Sequence, residues 1–409
     1  MKRVVITGMS SITALGDNWG DFKSALIQGK NAVKRMPEWD YIDGLNTKLA
    51  APVIDFNRPS HYSRKKVRSM GRVSLMSTYA TERALEQAKL LEHPALTDGS
   101  TGVSYGSSIG STAPLVPFGR MMDTGSMNGV TATSYIQMMA HTAPVNVGVF
   151  FGIKGRVITT SSACTSGSQG IGYAFEAIKF GRQKIMVAGG AEELCVTEAA
   201  VFDTLYATST QNDNPELTPK PFDKNRDGLV IGEGAGTLIL EEYEHAKARG
   251  ANILAEVVGF GCNSDGQHVT QPTSTTMQVA IEMALQDANL SADQIGYVNA
   301  HGTSTDRGDI AETHATFNAL GAKPISSLKS YLGHTLGACG AIEAWASINM
   351  MTDNWFAPTI NLTEVDNECA PLDYITEHGR EIDTDYIMSN NFAFGGINTS
   401  LIFKRFKGE

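Results

Sequence analysis

The chain has 409 residues, of which 42% are hydrophobic, 19% are charged and 41 are glycine. That length suits two or three domains or one large duplicated unit, and that composition excludes disordered, fibrous and small disulfide-built proteins. With 33 basic against 43 acidic residues the formal net charge is −10, which argues against a broad electrostatic grip on nucleic acid or an anionic membrane surface.

From the N-terminus, MKRVVITGMSS runs straight into a strand pattern with no cleavage site. No apolar run approaches the ~20 residues that cross a bilayer, so the sequence predicts a cytoplasmic protein without membrane insertion. Apolar runs rich in β-formers then alternate with helical patterns: RVVITG, a helix over Leu75–Leu90, TGVSYGSSIG, RVITTSSAC, a helix after Cys164, and KIMVAGGAEE. In the helix after Cys164, Ile171, Ala174, Phe175 and Ile178 repeat at i, i+3, i+4 and i+7. The polar stretch STQNDNPELTPKPFDKNRDG reads as a long excursion over the surface or around a site.

A second series begins near residue 250, after the charged helix EEYEHAKARG. It runs through ILAEVVGFG, a helix over Thr276–Ala288, GYVNAHGTST, PISSLKS, a helix over Ala338–Met351 and YIMSNNFAFGGINTSLIF. The like alternation in both parts predicts a layered α/β fold of duplicated architecture, with halves over 1–250 and 251–409 and no residue-level repeat between them.

Cys164 falls between a strand and a helix whose first turn is built of Ser and Gly. Unpaired N–H groups and the positive helix end there favour a thiolate and predict a lowered thiol pKa; the alternative is an inert packing cysteine. His301 ends a strand and opens the loop HGTST, where Thr303 and Thr305 can bond amide or phosphate groups of an extended ligand. His334 opens a further strand-to-helix junction, with Lys329 before it and Glu343 in the helix beyond; taken alone, such a histidine reads as structural. In MSNNFAFGGINTS a strand enters a Gly-Gly turn, either a simple hairpin or a place where backbone N–H groups face a ligand. The five cysteines, Cys164, Cys195, Cys262, Cys339 and Cys369, include no CxxC pair, which opposes a disulfide framework and a zinc site, and no metal is expected.

Together, the nucleophile-like Cys, HGTST, GHxxGAxG and NxFxFGG in this order resemble the β-ketoacyl-acyl carrier protein synthases. The resemblance runs from KRVVITGMSSITALG through GGAEELC and PFDKNRDG to FGGINTSLIF and is nearest the elongating type I and type II enzymes. It implies a thiolase fold, with two βαβαβαββ halves in five α-β-α-β-α layers, dimeric through the edge strand beside the nucleophile.

By the same resemblance, Cys164 accepts an acyl chain and His301 and His334 act on a malonyl thioester, giving a decarboxylative condensation that lengthens a fatty-acid or polyketide chain by two carbons. The backbone N–H groups of Cys164 and Phe394 form an oxyanion hole. Lys329 holds the imidazoles neutral and orients Glu312, while Glu343 positions its neighbours. Thr303 and Thr305 receive the phosphopantetheine arm of acyl carrier protein, which brings the substrates, and no bound cofactor is implied. Ile109, Glu198, Phe202, Leu229, Phe392 and Phe394 shape the acyl pocket and its gate. Arg64, Lys65, Lys66 and Arg68, the densest basic run, match the carrier-docking region; the alternative is a solvated helix face. The dimer is homomeric or pairs with a chain-length-factor-like subunit.

Departures from the family pattern bear on substrate. Leu229 stands where an aromatic is common, Ala393 where FGFGG has its first glycine, Asp306 where HGTSTP has proline, and Glu198 where a type I relative has an apolar pocket residue. Together with Ile109, they suggest an acyl chain with a polar, aryl or polyene end.

Five other readings fit less well, among them a cysteine hydrolase, whose local patterns nothing here resembles. A degradative thiolase needs a second cysteine near the C-terminal motif, and NNFAFGG has none. Chalcone-synthase-like enzymes have Asn where His334 stands, and a non-catalytic tunnel-shaping subunit loses the nucleophile that Cys164 retains. GSSIGS and GEGAG give neither a GxGxxG turn nor a GK[ST] phosphate loop.

Overall fold

A computed structural model describes residues 1–408. Strands β1 (Val4–Thr13), β2 (Thr101–Gly106), β3 (Val157–Thr159), β4 (Ile185–Glu192) and β5 (Gly234–Glu242) belong to the first half. The second half holds β6 (Ala255–Ser264), β7 (Tyr297–Asn299), β8 (Pro324–Ser326), β9 (Asp373–Tyr374), β10 (Tyr386–Ala393) and β11 (Ile397–Arg405). Their order, β9-β8-β7-β10-β11-β6-β1-β5-β4-β2-β3, is mirrored about the junction of β6 and β1, with β9 as an extra edge strand. On each side a parallel pair (β2 with β3, β7 with β8) is followed by a parallel neighbour (β4, β10) and two antiparallel ones (β5 and β1, β11 and β6). The duplication therefore lies in strand order and direction.

The thiolase fold leads one to expect two separate sheets. Here Val4–Ile6 of β1 pair with Ala255–Val257 of β6, and this short seam joins them into one eleven-stranded sheet.

The main helices are α1 (Arg72–Gln87), α2 (Thr142–Phe151), α3 (Ser166–Lys179), α4 (Val196–Asp203), α5 (Ser274–Ala288), α6 (Asp306–Leu320) and α7 (Cys339–Thr352). Alternation along the strands builds the layers, because successive side chains face opposite ways. In β4, Met186 and Ala188 join a central core with Ile171 and Phe175 of α3 and Ile342 and Trp345 of α7. Ile185 and Val187 turn instead to an outer core with Met76 and Ala80 of α1 and Val147 of α2. On β11, Leu401 and Phe403 face the central core while Ile402 faces the outer core of α5 and α6. Strands buried on both faces become continuous apolar runs, as the sequence shows.

Almost every side of α3 and α7 is covered, so they form the middle layer. Glycine lets them meet: a Cβ on Gly167 would lie 3.0 Å from the Ala341 backbone nitrogen, and one on Gly340 would lie 2.7 Å from that of Ser168. Each helix follows a one-turn 3-10 segment, Ala163–Thr165 and Leu336–Ala338. Each segment opens on a non-glycine residue with positive φ, 51° at Ala163 and 45° at Leu336. A strained turn at the mouth of a buried helix is a recurrent device for presenting a reactive side chain.

Candidate active site

Cys164 is the middle residue of the first strained turn and is 4% exposed. His334 Nε2 lies 3.0 Å from its sulfur. His301, just past the end of β7, faces His334 with ring centroids 5.1 Å apart and planes nearly perpendicular. The reactive atoms of Cys164, His301 and His334 all lie within 4.8 Å of one another. Residues 137 positions apart in the chain, Cys164 and His301, thus meet in one place because the two halves pack through α3 and α7.

Hydrogen bonds select the tautomers. The Leu336 backbone N–H donates to His334 Nδ1 at 3.3 Å. The Asn391 amide nitrogen sits 3.5 Å from His301 Nδ1 and donates to Glu343 Oε2 at 2.7 Å, which assigns it as the donor end. With Nδ1 occupied as an acceptor in both rings, each neutral imidazole carries its proton on Nε2. Burial first, and then the Lys329 charge, hold both histidines well below the usual imidazole range; His334 adds to this at His301. The cation effect expected at Lys329 is present, and desolvation exceeds it.

Lys329 lies 2.5 Å from Glu343 Oε1, with both side chains buried. Burial works against its charge, and Glu343 more than restores it, so the ammonium is retained. Glu312, expected to be oriented by Lys329, feels that charge but makes its hydrogen bonds elsewhere, accepting from the backbone N–H groups of His301 and Gly302, each at 2.7 Å. Its carboxylate clamps the turn that aims the imidazole.

The lowered pKa expected for Cys164 is also corrected. Burial pushes the thiol up to about 11, against the pull of Lys329 and of the Phe394 and Cys164 backbone N–H groups that hydrogen-bond the sulfur. A helix end offers partial charge, but the second half has removed the water that would solvate a thiolate. Those two N–H groups are the pair expected to form an oxyanion hole.

A cavity of about 520 Å³ opens onto Cys164, His301 and His334. Thr303 and Thr305 line it with their hydroxyls 2.9 Å apart, as do Phe202, Leu229, Phe392 and Phe394. Phe202 and Phe394 stack at 5.0 Å. Ile109 and Glu198, expected in the acyl pocket, lie outside this lining. Ile109 is 38% exposed beside Glu192, and Glu198 Oε2 accepts from the Cys195 backbone N–H that opens α4. The Gly-Gly turn proves to be both a hairpin, between β10 and β11, and a wall of the cavity.

The long polar excursion wraps this site. Arg226, nearly buried, bonds the backbone oxygens of Thr305 and Asp306 and the Asp366 carboxylate, while Asp309 accepts from Phe222, Thr303 and Ser304. Arg64, Lys65, Lys66 and Arg68 are all exposed, on consecutive turns rather than on a helix face.

Sequence reasoning missed Asn391, which links Glu343 to His301, and the segment around Asp265–Pro272 that lines the cavity. Asn391 could have been found as a polar residue in a strand otherwise buried on both faces; the Asp265–Pro272 segment carries no such signal.

Family models for the β-ketoacyl synthase N-terminal and C-terminal domains match residues 1–246 and 254–363. The chain belongs to the β-ketoacyl synthase family. It is 37% identical to the 3-oxoacyl-[acyl-carrier-protein] synthase 2 of Vibrio harveyi over 99% of each chain. Among solved structures, a β-ketoacyl synthase from Burkholderia phymatum STM815 is 63% identical, with a TM-score of 0.98 over the whole of both chains. An ishigamide ketosynthase/chain length factor is 29% identical, with a TM-score of 0.90 over 99% of each chain. The thiolase fold and enzymatic character of this ketosynthase follow from those relationships. No helix among its described residues is long and apolar enough to cross a membrane.

Proposed function

We propose that this ketosynthase condenses a Cys164-bound acyl group with malonyl-acyl carrier protein, extending the chain by two carbons and releasing carbon dioxide. The convergence of the Cys164 sulfur and the two imidazoles, Nε2–H inward, on one cavity carries the reading.

Cys164 sulfur attacks the incoming acyl thioester, and its proton leaves on the departing phosphopantetheine thiol. Malonyl thioester, threaded past Thr303 and Thr305, then loses carbon dioxide; the electrons of the broken bond enter an enolate whose oxygen receives both Nε2–H donors. The enolate carbon attacks the acyl carbonyl. Its oxyanion rests on the Cys164 and Phe394 N–H groups, and collapse returns the thiolate, which is reprotonated.

Lys329, Glu343, Asn391 and Glu312 hold the imidazoles neutral and aimed. The substrates arrive on acyl carrier protein, an acidic partner for the exposed Arg64, Lys65, Lys66 and Arg68. The halves are taken as 1–250 and 251–409. All five thiols are free, in keeping with a reducing cytoplasm. The edge strand β3, with Val157 45% exposed, and the outward Val149 of α2, 77% exposed, suit pairing with a second copy across that edge. Sedimentation analysis of the purified chain tests for that homodimer; a species seen only with a second, different subunit would replace it.

Intact mass after mixing with acyl-carrier proteins should gain the acyl group on Cys164, and Cys164→Ala should gain nothing. Failure of every acyl donor to load Cys164 overturns the reading. Reversing Arg64 and Arg68 to Glu should raise KM for carrier-bound donors several-fold and spare small thioester mimics; equal effects on both would remove the docking role.

A further inference from the structure

Alternate residues of one segment line the cavity from its depth to its mouth. His301 is 7% exposed, Thr303 is 8% exposed, Thr305 is half-buried and Arg307 is exposed, and all four belong to the lining. The segment therefore climbs from the reacting atoms to the rim, with an imidazole at the bottom, two hydroxyls midway and a guanidinium at the top. Helix α6 begins at Asp306, and its N-cap Thr305 gives the helix end no side-chain cap.

The other charged groups of the lining are engaged. The Arg226 side chain, 2% exposed, faces Asp306, Asp309 and Asp366. Asp227 accepts from Ser209 and the Thr210 backbone, Asp265 from the Thr273 backbone and Asn398, and Glu312 from the His301 and Gly302 backbone. Asp306 turns its Oδ1 to Arg226 at 3.4 Å, so the acid next to Arg307 in the chain is not its partner. Arg307 makes no ion pair or side-chain hydrogen bond among the described residues. A solvated arginine on an open surface signals nothing; this one stands at the rim of the passage that every substrate of the reaction must use.

We propose that Arg307 is a specificity-determining residue that pairs with the phosphate at the head of the substrate's pantetheine arm. With the thioester at Cys164 and the amides beside Thr303 and Thr305, the part of the arm left at the mouth is its phosphate, an anion whose oxygens a guanidinium fork fits. Arg307 is the second residue of α6, so the positive end of that helix adds to the attraction. The inference rests on the condensing reading and deepens it: recognition of the donor extends to the phosphate itself, and is separate from the docking role of Arg64, Lys65, Lys66 and Arg68 toward the carrier's surface.

The test loads Cys164 with the same acyl group from acyl-pantetheine, acyl-phosphopantetheine and acyl-carrier protein, read by intact mass against time. The wild-type enzyme should favour acyl-phosphopantetheine over acyl-pantetheine by about fivefold or more in kcat/KM, and that ratio should shrink at high salt. R307Q should bring the ratio close to one, R307E should take it below one, and R307K, which keeps the charge without the fork, should retain part of it. A wild-type ratio near one, or a ratio unchanged in R307Q, overturns the proposal. A loss in R307Q confined to the carrier-bound donor would assign Arg307 to the carrier's surface and overturn it as well. If R307Q fails to fold, the wild-type ratio and R307K decide. Loading without a phosphate preference defeats this inference alone, whereas no loading by any donor defeats the condensing reading with it.

Discussion

The turn at Ala163–Thr165 and the turn at Leu336–Ala338 have the same length, the same positive-φ opening and the same kind of buried helix behind them. Their middle residues differ: Cys164 in the first, Gly337 in the second. The contrast continues one layer out. Gly106 pairs with Gly190 in the first half and Asn299 with Ser389 in the second, so two residues further along Glu192 stands where Asn391 stands, and Ser108 where His301 stands. Glu192 bonds the Ser108 N–H at 2.7 Å and the Gly337 N–H at 3.0 Å, tying one half's strand end to the other half's turn. Asn391 instead serves His301 and Glu343. One copy of the motif became chemistry and the other became the mortise that holds it.

Four substitutions test that division, the largest effect first. Cys164→Gly makes the first turn resemble the second and should cut condensation by about 10⁴-fold or more, measured as 3-oxoacyl product, with the melting temperature little changed. A variant that kept a tenth of its activity would place the nucleophile elsewhere. Asn391→Leu removes the donor at His301 Nδ1 and should lower condensation kcat roughly tenfold to a hundredfold while slowing Cys164 loading less. Parallel losses in both steps would show a general distortion instead.

The reverse swap is a stability experiment. A Cβ on Gly337 would meet the Ser108 backbone nitrogen at 2.8 Å and Ser107 Cα at 3.0 Å, neither of which can yield as a flexible side chain would. Gly337→Ala should therefore destabilise the protein by about 1–3 kcal/mol in denaturant unfolding. A neutral result would mean that the second turn is not a packing joint.

The smallest effect is electrostatic. Protonation would put a hydrogen on Nδ1 of His301 or His334, facing the Asn391 or Leu336 donor, so condensation should fail as pH drops through imidazole values that lie well below 6.5. Removing the Lys329 charge relieves repulsion of the imidazolium and raises those values. The acid limb of the kcat profile in Lys329→Met with Glu343→Gln, which leaves no lone buried charge, should move to higher pH. Because burial is the larger cause, the movement should be modest; a shift to lower pH would contradict the arrangement.

Local signals were legible in the sequence, and partnerships across the halves were not. The period of Ile171, Ala174, Phe175 and Ile178, and the strands around it, gave the α/β layers because one-face and two-face burial leave different patterns. Cys164, His301 and His334 stood out because each lies at a strand-to-helix junction. The Lys329–Glu343 pair and the Asn391 bridge depend on contacts spanning up to 90 positions, which spacing does not encode. The thiol pKa was misjudged for the same reason: a local helix end was visible, and the desolvation supplied by the other half was not. Ile109 and Glu198 were placed by resemblance, whereas this chain turns Glu198 to cap α4 and leaves Ile109 beside Glu192.

The seam between β1 and β6 is three residue pairs long, while the apolar contact through α3 and α7 is extensive. Each inner helix buries all but two of its residues, so the N-terminal half, which is synthesised first, carries a flank that only the second half covers. The pocket around the nucleophile is consequently complete only when the molecule is closed. The thiol is shielded from adventitious oxidants only once the histidines have arrived to use it.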